Sequence, residues 1–197
     1  MSPSSAVPPE VGDASRLRIG VLASQGDFAA HAEMLESLAA EPVEVRTPEA
    51  IVGLDGLVIP GGESTTITKA IESDRLEPAI RAHADGGRPI LGTCAGMIVC
   101  DRDHLGLVDA KAQRNAFGRQ IASFEAELEV EGLGPDPVRA VFIRAPWISE
   151  HGPGVEVLAS VDGHPVAARE GTLFVISFHP ELGDDDRLHR LFLDGLE

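Results

Sequence analysis

A length of 197 residues favours one domain. The net charge of −16 is a poor match for the phosphates of a nucleic acid. A hydrophobic fraction of 43% supports a sizeable core and argues against disorder, and no apolar run approaches the roughly 18 residues of a membrane span.

Residues 1–16 are rich in Ser, Pro and Ala and lack the basic and apolar regions of a signal peptide. They are expected to form a flexible tail ahead of a single domain over 17–197. Residues 17–22 (LRIGVL) read as a buried strand followed by a loop. Asp27 is placed to cap a helix whose inner face carries Phe28, Ala32, Leu35 and Leu38 or Ala39. Residues 42–46 and 56–59 read as strands, 64–72 and 74–85 as helices stopped by Gly86 and Gly87, and 89–91 as a very short strand before a tight turn over 92–96. Strands alternating with helices predict a mostly parallel sheet covered on both faces. The second half differs. Residues 123–130 alternate strictly, and 138–144, 155–161, 164–169 and 173–178 are further strands, some antiparallel because their connections are too short for crossovers. A closing helix over 184–196 turns Leu188, Leu191, Phe192 and Leu196 to the core.

Three local patterns bear chemistry. Gly92-Thr93-Cys94-Ala95-Gly96 is G-x-C-x-G between a strand and a helix, the thiol form of a nucleophile elbow. Small neighbours let the chain turn sharply, the helix N-terminus favours a thiolate, and the Ala95 N–H is placed to face an oxyanion. The alternative is a buried structural cysteine in a Gly-rich turn. His179-Pro180-Glu181 follows an apolar strand. In an extended segment residues i and i+2 point the same way, so the Glu181 carboxylate is expected beside the His179 ring, where it can orient it. The alternative is a surface histidine before a proline turn. Gly61 and Gly62 in PGGESTT (60–66) expose backbone N–H groups, but GxGxxG is absent and Lys69 does not fit a phosphate-binding loop. A second oxyanion donor fits better, with a structural turn as the alternative. His31, His83, His104, His151, His164 and His189 read as surface or packing residues. Cys94 and Cys100 have neither CxxC nor zinc spacing and read as reduced thiols of a cytoplasmic protein. Cys94, His179 and Glu181 all fall at carboxyl ends of strands, where ligand sites of open α/β sheets lie.

These residues resemble the class I, triad-type glutamine amidotransferases, and most closely the family of glutaminase subunits of pyridoxal 5′-phosphate synthase. The likeness is carried by GVLASQGDFAAH (20–31), GLVIPGGESTTI (56–67), GTCAGMI (92–98), RNAFGRQIASFEAEL (114–128), FIRAPWI (142–148) and SFHPEL (177–182). The chain departs from the family at Ser24, where an apolar residue is usual, and in a shorter stretch over 97–104. The resemblance implies a three-layer, flavodoxin-like α/β fold with some antiparallel strands in its second half. It implies a Cys94–His179–Glu181 triad, glutamine binding by Gly61, Gly62, Glu63, Arg114, Ile143 and Arg144, and an oxyanion hole at Gly62 and Ala95. It further implies ammonia transfer to a (β/α)₈-barrel synthase subunit in a hetero-oligomeric lyase complex, with no cofactor and no metal on this chain. The rival expectations are a stand-alone elbow-Cys amidase and a non-catalytic regulatory subunit of the same fold.

Overall fold

The computed structural model describes residues 16–23, 28–114, 116–117 and 123–196. Most of the expected tail and Asp27, the expected cap, lie outside them. A seven-stranded sheet forms the centre, in the order β2-β1-β3-β4-β11-β10-β9. Its strands are β1 (Arg18–Leu22), β2 (Glu41–Val45), β3 (Gly56–Ile59), β4 (Ile90–Thr93), β9 (Glu156–Val161), β10 (His164–Glu170) and β11 (Leu173–Ile176). β2 through β11 pair in parallel, whereas β10 runs antiparallel to both of its neighbours. Two-stranded antiparallel ribbons flank it: β5 (Ala110–Gln113) with β8 (Trp147–His151), and β6 (Ser123–Leu128) with β7 (Val138–Ile143).

β3 and β4 are buried at every position, as a sheet covered on both faces requires. Alternation along each strand splits their side chains between two apolar clusters. Val58 and Leu91 join one, with Leu35 of α1 (Phe28–Ser37), Leu188 and Phe192 of α6 (Arg187–Asp194), and Phe142 of β7. Leu57, Ile59 and Ile90 join the other, with Ile51 of α2 (Pro48–Ile51), Ile67 and Ile71 of α3 (Ser64–Ser73), Ile80 of α4 (Glu77–Asp85), and Met97 and Val99 of α5 (Ala95–Cys100). This is the expected three-layer α/β arrangement.

Several local expectations are corrected. The inner face of α1 carries His31 and Leu35. Ala39 lies past the helix end with φ +62, and Leu38 is only partly buried. The turn expected over 92–96 narrows to Cys94, because Gly92 and Thr93 still belong to β4 and Ala95 already opens α5. β11 stops at Ile176, and α6 begins only at Arg187, burying Leu188, His189, Phe192 and Leu193. α2, β5 and β8 were not expected.

Candidate active site

Cys94 sits where β4 becomes α5, with φ +49 and ψ −107. An L-residue there carries strain on the order of 1–3 kcal/mol. The surroundings enforce it. The Cys94 N–H donates to the Ile176 carbonyl of β11 at 2.8 Å, which ties the turn to the neighbouring strand. Both glycines of the motif are required by close approach. A Cβ on Gly96 would collide with the Ile59 carbonyl oxygen, and one on Gly92 would lie 2.9 Å from the Gly96 oxygen. The residue is 7% exposed, more enclosed than the elbow pattern implied, and its Sγ lies 3.8 Å from the Ile143 carbonyl. Cys100, at the end of α5, is fully buried, and burial pushes its thiol up to about 12. Both cysteines are free.

His179 arrives from β11, beside β4 in the sheet, and its N–H donates to the Val141 carbonyl at 3.0 Å. Residues Pro180–Leu182 form a 3₁₀ turn, so Glu181 reaches the ring across a turn and not along an extended strand. The fixed φ of Pro180 suits a first helical position, which is why the chain turns here. The outcome is the expected contact: Glu181 Oε1 accepts from His179 Nδ1 at 2.7 Å. Burial pulls the ring's pKa down, but hydrogen bonds to Cys94 and Glu181, and the charges of both, outweigh it and raise it to about 10. With Nδ1 given to Glu181, the other face of the ring serves Cys94.

A pocket opens over Cys94. Gly62, Glu63, Ala95, Arg114, Ile143 and Arg144 all line it, and Ser64, Ile98 and Pro146 complete it. Gly61 is buried outside that lining, as are His179 and Glu181 behind Cys94. Two arginines and one glutamate are therefore among the residues that line the pocket. Arg114 Nη1 donates to Thr65 Oγ1 at 3.3 Å. Glu63 caps α3: its carboxylate accepts from the Thr65 and Thr66 N–H groups at 3.1 and 2.8 Å. The Thr65 N–H and the Thr66 hydroxyl hold that carboxyl down at about 2, so it stays ionised. Arg144 turns the chain with φ +45, and Gly62 adopts φ +130.

Two histidines read as packing residues are polar neighbours of this site. His31 and His189 are both 0% exposed. His31 Nδ1 lies 3.0 Å from His189 Nε2, and His31 Nε2 lies 3.2 Å from Thr93 Oγ1 and 3.3 Å from Glu181 Oε2. Burial, then the charges of His189 and His179, hold His31 well below the usual imidazole range. Burial lowers His189 to about 4. The missed signal was the position of His31 one turn before Leu35, on the face that meets the sheet. Among the described residues no cluster of His, Cys, Asp or Glu suits a metal ion, and no helix is long and apolar enough to cross a membrane.

The profile of the SNO glutamine amidotransferase family matches residues 21–197. The chain is 50% identical to a pyridoxal 5′-phosphate synthase subunit PdxT of Frankia alni, over 90% of this chain and 94% of that protein. It is also 50% identical to the PdxT of Halorubrum lacusprofundi, over 89% and 95%. A crystal structure of a glutamine amidotransferase superposes with a TM-score of 0.86 at 46% identity, covering 90% of this chain and 98% of the other. PurLQS from Thermotoga maritima shares the fold, with a TM-score of 0.74 at 16% identity.

Proposed function

The chain belongs to the SNO glutamine amidotransferase family, and from there we propose that it is the glutaminase subunit of a pyridoxal 5′-phosphate synthase, hydrolysing L-glutamine to L-glutamate and ammonia. The observation that carries this reading is the Cys94–His179–Glu181 constellation at the strand ends, with Cys94 at the floor of a pocket that holds two arginines and a carboxylate. Glutamine brings a carboxylate for Arg114 and Arg144 and an ammonium for Glu63. Gly61, next to Gly62 in the chain, belongs to the same glutamine-binding segment, and Ile143, exposed and in the pocket lining, is placed to meet the substrate.

The chemistry runs in two steps. The Cys94 thiolate attacks the side-chain amide carbon, and the N–H groups of Gly62 and Ala95 hold the oxyanion. His179, protonated and oriented by Glu181, gives a proton to the departing ammonia, leaving a γ-glutamyl thioester. Water then loses a proton to His179 and attacks the thioester, releasing glutamate and restoring the thiolate. Ammonia passes to a (β/α)₈-barrel synthase subunit in the cytoplasm.

Assays of purified chain, alone and mixed with the synthase, test this. Glutamine turnover is expected to be slow alone and faster with the synthase, which sets the loop at Gly61 and Gly62. Equal rates would remove the coupling, and no ammonia release in either case would remove the activity. Arg114→Ala is expected to raise KM for glutamine roughly 10- to 100-fold with a smaller change in kcat, as for loss of one or two charge-assisted hydrogen bonds. An unchanged KM with a reduced kcat would place Arg114 outside the binding site.

A further inference from the structure

The triad continues into the core through groups that no glutamine chemistry requires. Glu181 has two carboxylate oxygens, and its side chain is fully buried. Oε1 is taken by His179. Oε2 has no aligned hydrogen bond, and its close polar neighbour is His31 Nε2 at 3.3 Å, from α1. That nitrogen is better aligned on Thr93 Oγ1, the residue before the nucleophile, at 3.2 Å. One N–H of His31 thus sits between the carboxylate that orients the catalytic histidine and the strand end that carries the thiol.

The tautomers follow from counting donors. An ionised carboxylate only accepts, so a bare lone pair on His31 Nε2 would face it unfavourably, and Nε2 must carry the proton. Neutral His31 then accepts at Nδ1, and His189 donates to it from Nε2 across 3.0 Å. His189 Nδ1 is left as a lone pair, and that atom is buried without a partner. The reverse assignment would bury an unpartnered N–H there, the costlier defect. Both rings are held neutral by burial, so the chain passes no net charge to Glu181 and does not compete with His179 for it.

We propose that His31, its tautomer fixed by His189 of α6, is a positioning residue that anchors the free oxygen of Glu181 and thereby sets the orientation of His179 toward Cys94. This rests on the triad reading above. It assigns to α1 and α6 a part in catalysis although neither touches the substrate pocket.

Three variants and one spectrum test it. His31→Leu is expected to lower kcat by between about tenfold and a hundredfold, a range typical of residues that orient a reacting group's partner, with KM within about twofold of wild type. His31→Gln, whose amide N–H₂ can occupy the place of Nε2, is expected to recover most of that loss. A residue needed only for packing would lower the unfolding midpoint in both variants and leave kcat alone. In ¹⁵N spectra of histidine-labelled wild-type protein, His31 and His189 are expected as neutral Nε2–H tautomers between about pH 6 and 9. His31→Leu with wild-type kcat, His31→Gln as impaired as His31→Leu, or a protonated His31 Nδ1 would each overturn the proposal. The spectrum decides where a variant does not fold. Cys94→Ala is measured alongside: activity surviving there would remove the triad reading, whereas the tautomers stand or fall without turnover.

Discussion

Cys94→Ala is expected to lower kcat for glutamine hydrolysis by roughly 10⁴-fold or more, the scale seen when a covalent nucleophile is removed and only binding and oxyanion donors remain. The pocket itself should survive, because Gly62, Arg114, Ile143 and Arg144 line it independently of the thiol. Glutamine should therefore still bind, and equilibrium binding with absent turnover is the pattern to look for. The backbone at this position makes a second, separable test. Alanine keeps a Cβ at φ +49, whereas glycine does not. Cys94→Gly is expected to be more stable than Cys94→Ala by about 1 kcal/mol, the reverse of the usual order of these residues in regular structure. Urea unfolding measures it. A glycine variant less stable than the alanine one would mean that the turn carries no strain, and an active alanine variant would end the thioester mechanism.

The parts of this fold that were legible in the chain are those whose burial is local. β1 and β3 are short apolar runs ending in Gly or turn residues, and they appear within a residue of where the pattern puts them. The spacing of glycines around Cys94 was readable because each glycine answers a steric demand from an immediate neighbour. β5 and β8 were not, since the alternation of AKAQ is only four residues long and carried by small alanines, and WISEH has none. They are held by each other and by the buried Asp101, whose Oδ2 accepts from the Ala112 N–H. Arg114 and Arg144 have no local pattern at all, and only a family resemblance singled them out before the pocket brought them together. His31 and His189 lie 158 residues apart, so the place of His31 on the inner face of its helix signals its burial but not its partner. Alternation along a strand predicts the Glu181 contact, but the chain makes that contact through a proline-started 3₁₀ turn.

Glu181→Gln is expected to lower kcat by roughly 10³- to 10⁴-fold while leaving KM near wild type, because it removes the orienting charge without emptying the site. The amide has no good placement. With its oxygen toward His179 Nδ1, its N–H₂ meets the His31 Nε2–H. Turned over, its N–H₂ faces His179 and forces the tautomer whose proton sits on the side of Cys94. The first arrangement leaves two donors opposed in a buried space, a cost of about 1–3 kcal/mol, and the second takes the proton from Nδ1 and leaves His179 no free Nε2 lone pair to act as a base. The same substitution predicts a change in how stability depends on pH. In the wild type His179 is raised to about 10, against about 6.5 for an unfolded imidazole. Between those values the folded protein binds a proton that the unfolded chain has released, so stability is fully present below about 6.5 and falls as pH rises through about 10. Glu181→Gln removes one of the two partners that hold the pKa up, leaving Cys94 as the other, so the fall should be shallower. Unfolding free energies compared at about pH 7 and 10 give the slope for each protein. Parallel slopes would mean that Glu181 does not hold the proton on His179, and the carboxylate's part in the triad would then be limited to geometry.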